Sequence, residues 1–96
     1  MPFMDTRDRT KQINIADKYK PVLVFSHTDF DGNIRPLKFK YENTDETIEY
    51  FNIDSVRYAK DIRGGVNYSC LITNYGRQQV IDLVYYYEYH RWFIVV

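Results

Sequence analysis

The seventeen residues from Val80 to Val96 constrain the fold of this chain more than any other stretch. Two runs rich in tyrosine and β-branched residues flank a short polar segment that includes Glu88 and His90. Such a pattern reads as a terminal β-hairpin. At a period of two, Ile81, Leu83, Tyr85, Tyr87 and Tyr89 share one face, while Val80, Val84 and Tyr86 lie on the other with Asp82 and Glu88 among them. Both faces carry apolar surface that needs cover. The expectation is a small all-β domain with material packed on each side of its last strands. The pattern names no reaction and no ligand.

The rest of the chain follows the same rhythm. Val22 to His27 is strand-like, Asp29-Phe30-Asp31-Gly32-Asn33 supplies a turn, and Ile34 to Tyr41 alternates. Asp-Gly between two β-rich runs is the strongest short-range hairpin signal, because glycine tolerates the positive φ of a tight turn. Leu37, Phe39 and Tyr41 are expected to face the core and Lys38 and Lys40 the solvent. Pro36, without an N–H, belongs at an edge, a bulge or a strand start. A polar cluster at 42–46 makes a second turn. Thr47 to Ala59 then carries an apolar pattern with a phase slip near Tyr50 and Phe51, which a bulge or bend would explain. Asp61 to Gly65 and Asn74 to Arg77 are further turns, and Val66 to Thr73 alternates between them. The prediction is about six antiparallel strands in a meander that closes into a small barrel or a strongly coiled sheet.

At 96 residues the chain has room for one domain. Residues 1–20 read as an N-terminal arm, partly disordered or forming a short helix or edge strand that Pro21 closes off, and residues 21–96 as the single β domain. Thirteen basic residues balance thirteen acidic ones, so no global charge recruits a polyanion. Cys70 is the only cysteine, which excludes an intramolecular disulfide and reads as a small core residue in a reducing compartment. The first residues have no apolar stretch of the signal-peptide kind, so the expected location is cytoplasmic.

Residues 21–96 also resemble a broad group of small uncharacterised bacterial proteins. The likeness is carried by Ile34-Arg35-Pro36-Leu37, by Ile53-Asp54-Ser55-Val56, by Gly65 followed by Tyr68-Ser69-Cys70, and by Trp92-Phe93. The resemblance implies a compact β fold and brings no activity, cofactor or site residue with it.

Several constellations suggest chemistry and have simpler explanations. Ser26-His27-Thr28-Asp29 holds the residue types of a hydrolase triad, but neighbours along one strand alternate faces and cannot form the relay. Asp29-Phe30-Asp31-Gly32-Asn33 opens like a calcium loop, yet Lys38 stands where the closing carboxylate would be. His27, Asp29 and Asp31 would make an incomplete transition-metal site. Gly64-Gly65 lacks the Lys and Ser/Thr of a phosphate loop. No catalytic, metal or cofactor residue is assigned, and the chain is not read as an enzyme. Two binding readings remain. The first is self-association, most simply as a homodimer, through an aromatic face of Val84, Tyr86 and Trp92. A different protein partner could dock on the same face. The alternative is a single-stranded nucleic-acid contact through Arg35, Lys38 and Lys40 beside aromatic rings, against which the balanced charge count argues. No membrane contact is expected.

Overall fold

The computed structural model describes residues 18–95. They form six strands: β1 (Tyr19–Thr28), β2 (Ile34–Glu42), β3 (Ile48–Ile62), β4 (Gly65–Asn74), β5 (Arg77–Tyr86) and β6 (Arg91–Val95). Each pairs antiparallel with the next, and β6 returns to β1, so the meander closes into a barrel. The expected arm falls mainly on residues 1–17, outside the described residues.

Two strands turn the corners of the barrel. β1 pairs with β6 from Tyr19 to Val22, then with β2 from Leu23 to Thr28. β3 pairs with β2 from Ile48 to Asn52, then with β4 from Ile53 onward. Pro21 does not end an element as expected: it lies inside β1 opposite Phe93, close to the point where the strand changes partner. The slip near Tyr50 and Phe51 is likewise not a bulge. Pairing there is in register, Ile48 and Tyr50 being apolar residues on the solvent face, and the register shifts come later, at Ile53/Ser55 and Val56/Tyr58. A strand of fifteen residues must coil to serve two neighbours, and bulges supply that bend.

Short turns join the strands. In the β1–β2 turn the Asp29 carboxylate accepts hydrogen bonds from the backbone N–H of Asp31 and Asn33, each at 2.9 Å. These bonds hold its pKa below the ordinary value, and they engage the carboxylate with the loop's own donors. The β4–β5 turn places Tyr75 and Gly76 at φ of 53° and 77°, the paired positive values of a tight primed hairpin.

Inward side chains from every strand fill the barrel. Phe39, Tyr68, Cys70, Ile72, Leu83 and Ile94 are buried, and Val22, Val24, Phe51, Val56, Tyr85 and Trp92 pack against them. Phe39 and Phe51, opposite each other in register, stack at 5.3 Å between ring centres. Burial of a side chain such as Leu83 contributes about 1.5–3 kcal/mol. Burial also pushes the Cys70 thiol up to about 11, with Asp82 adding to the effect. No helix among the described residues is long and apolar enough to cross a membrane.

Candidate binding surfaces

The C-terminal hairpin does not present Val84, Tyr86 and Trp92 together. The β5–β6 connection is four residues long, Tyr87 to His90, and sets Tyr86 opposite Arg91, Val84 opposite Phe93 and Tyr85 opposite Trp92. Residues opposite one another share a face, so Trp92 points into the barrel with Tyr85. Its indole lies 5.4 Å from the Tyr68 ring and 5.1 Å from that of Tyr85, centre to centre. On the outer face Phe93 takes the place expected of Trp92. There Tyr19, Tyr86 and Phe93 form an edge-to-face cluster with centroids 5.7–6.4 Å apart. Val84, in register beside Phe93, is 1% exposed and offers no surface. Tyr86 is half-buried, and its hydroxyl is pushed up to about 12 by burial, by a hydrogen bond with Tyr19 and by the nearby Tyr89. Tyr89, 58% exposed, and Tyr87 are the accessible rings of this hairpin.

Arg35, Lys38 and Lys40 do share a face. Simple alternation would set Arg35 opposite to the two lysines. A register shift between Phe25 and Ser26 corrects this: Leu37 becomes the extra residue of β2, and Pro36 and Phe39 both turn inward. Leu37 therefore stands half-exposed and not in the core, against expectation. The outer face of β1–β2–β3 then reads in rows: His27 beside Arg35, Phe25 beside Lys38 and Asn52, and Leu23 beside Lys40 and Tyr50. The Lys38 ammonium lies 4.8 Å from the centre of the Phe25 ring and 5.8 Å from that of Tyr50. These two rings are 42% and 60% exposed. The sequence marks the cations of this face, but its aromatic members lie on different strands and become visible only with the pairing register.

Beyond Lys40 the face runs into a cleft of about 550 Å³ lined by Leu23, Lys40, Glu42, His90 and Arg91 among others. The barrel ends differ from it. Beside the β2–β3 and β4–β5 turns, a cavity of about 260 Å³ has Phe39, Phe51 and Ile81 in its wall and Asn43, Glu49 and Gln79 at its polar rim. At the opposite end a wider mouth of about 470 Å³ is lined by Asp61, Tyr68, Tyr85 and Tyr87.

His27 and Asp29 lie at the β1–β2 turn, and no group of three His, Cys, Asp or Glu side chains able to hold a metal occurs among the described residues. Ser26 and His27 sit opposite Pro36 and Arg35 on alternating faces of the ladder. Comparison of the chain with models of protein families, with curated proteins and with solved structures finds no match.

Proposed function

We propose that the protein is a non-enzymatic binding module whose β1–β2–β3 face takes a single-stranded nucleic-acid segment. The observation that supports this reading is the Lys38 ammonium set between the rings of Phe25 and Tyr50, which lie in adjacent rows, with Lys40 and Arg35 on the same face. Exposed rings offer stacking surface to any base, and adjacent cations offer contact to the backbone phosphates. Small antiparallel barrels use such sheet faces for oligonucleotides. The balanced charge of the whole chain is compatible with this, because contact depends on cations within a screening length of about 10 Å and less on the sum. A reducing compartment, such as the cytoplasm, suits the buried thiol of Cys70.

Fluorescence anisotropy with a labelled single-stranded oligonucleotide at several salt concentrations tests the reading. Three phosphate contacts give a log–log salt slope of about −2. Tyr50→Ala is expected to weaken binding about tenfold through lost stacking, and Lys38→Gln to flatten the slope by about one contact. Affinity that does not change with salt would dismiss the proposal.

A second reading, self-association through the C-terminal hairpin, is favoured by one observation: Tyr89 is 58% exposed while its ring packs 6.1 Å from that of Tyr86. Light scattering behind a sizing column at two protein concentrations checks it. A dimer mass that reverts to monomer with Tyr89→Ser supports the reading, and a monomer at both concentrations removes it.

A further inference from the structure

The wide barrel mouth has a composition unlike the basic face. Of its lining residues only Asp61 is charged, and neither Lys nor Arg lines it among the described residues. Three tyrosines, Tyr68, Tyr85 and Tyr87, form much of the wall, with Val66 and Ala59 beside them. Behind them stands Trp92, so that Tyr68, Trp92, Tyr85 and Tyr87 make a continuous series of rings with centroids 5.1–5.9 Å apart. Successive planes are inclined by 39°, 54° and 73°, which gives a fan around the opening and not one flat platform. The cavity volume falls in the range of small-molecule sites, roughly 300–1,000 Å³.

From this geometry we infer that the mouth binds an organic cation of the methylated ammonium class. Aromatic rings carry negative charge on their faces, so several of them around one opening attract a cation that is too weakly hydrated to prefer water. The Asp61 carboxylate supplies the counter-charge, and its neighbourhood with Tyr68 and Tyr87 is seen in the Tyr68 hydroxyl, which burial first and then these two groups push upward. The lining offers an anion no Lys or Arg, and Asp61 repels it. The mutual inclination of the rings leaves no extended platform for a large planar ligand. A methylated ammonium group, compact and apolar on its outside yet positive, matches both the rings and the carboxylate. Its source is a free small molecule of the choline type or a trimethylated lysine side chain of a partner protein, and the same chemistry recognises either.

Trp92 is the only tryptophan and touches two of the lining rings, so its fluorescence reports occupancy. The experiment titrates the full chain with choline, with its neutral carbon isostere 3,3-dimethylbutanol, and with a short peptide carrying trimethyl-lysine. Choline or the peptide is expected to give a saturable change while the isostere gives none, and the tighter of the two identifies the source. Asp61→Asn and, separately, Tyr87→Ala are expected to weaken that binding about fivefold each. Both positions are exposed, so these variants are expected to keep the wild-type unfolding midpoint. Equal responses to choline and its isostere, no saturable response to either cation, or unchanged affinity in both variants would each overturn the inference.

Discussion

Replacing Gly65 with alanine tests how tightly the top of the barrel is drawn together. A Cβ built at this position lies 2.0 Å from the carbonyl oxygen of Tyr85 and 3.2 Å from the Cα of Tyr86, whereas ordinary contact begins at 3.4 Å. The obstacle is backbone and no rotamer change relieves it, so β4 and β5 must part by more than an ångström. Gly65 opens β4 on both sides, facing Tyr86 on β5 and Ile62 on β3. Parting the strands there sacrifices two to three ladder hydrogen bonds at about 1 kcal/mol each, and strain adds to this, for a total of about 3 kcal/mol. In a domain of this size that lowers the melting temperature by roughly 10–25 °C. The neighbouring Gly64→Ala is the control, because its constraint is different in kind. Gly64 has a φ of +80° and its Cβ would meet nothing nearer than 4.0 Å, so alanine costs only the left-handed backbone, about 1 kcal/mol. Thermal unfolding followed by circular dichroism, with urea titrations of the same proteins, separates the two. A Gly65→Ala protein as stable as Gly64→Ala would refute the close approach of β4 and β5 and the reasoning built on it.

Further outcomes follow from other parts of the barrel. The unfolded Cys70 thiol ionises near its ordinary value of 9.0, whereas the folded one holds its proton to about 11. Between those values the unfolded chain binds fewer protons, so the contribution of Cys70 to stability is flat below pH 9 and is lost as pH rises through this window. The loss reaches about 2 kcal/mol at pH 10.5. Urea titrations of wild type and Cys70→Ala should therefore show their stability difference shifting by that amount between pH 8 and 10.5, and parallel pH curves would contradict it. Tyr75 is 89% exposed and held at a φ of 53°, so Tyr75→Asn should stabilise by about 0.5–1 kcal/mol, read as a higher melting temperature. Leu83→Ala, at a fully buried inward position of β5, should cost about 2–5 kcal/mol in the same assay.

The strands and their order were legible because alternation, Asp-Gly and Gly-Gly turns and β-branched residues all agree along this chain. What local pattern could not supply was parity between strands. Whether Val84 faces Trp92 or Phe93 depends on the β5–β6 connection having an even number of residues, and one residue more would have reversed it. The same holds for Arg35, which joins Lys38 only through the extra residue at Leu37. The apolar Ile48 and Tyr50 acted in another way: they belong to the solvent face, and beside the inward Phe51 they gave the pattern its apparent phase slip. The composition of the wide mouth escaped because Asp61, Tyr68 and Tyr87 come from separate segments. Lone aromatic and acidic residues carry no signal until the strand ends converge.

Closure of the barrel has a kinetic consequence. The seam joins Tyr19–Val22 to Trp92–Val95, the two described segments farthest apart in sequence, whereas every other pairing is between adjacent strands. The hairpins can form early and independently, but the seam must wait until the ends of the sheet meet, which places such topologies among the slower two-state folders, in milliseconds to seconds. Until then β1 and β6 each present an unpaired edge to other chains. Once the seam is made, the facing edges of Tyr19–Val22 and Trp92–Val95 are no longer open to other chains. The backbone still unpaired on one side includes that of Leu23–Thr28, which pairs only with β2, and of Ile53–Ile62, which pairs only with β4. A partner strand of the folded protein must therefore add at corner-strand segments such as these and not at the seam.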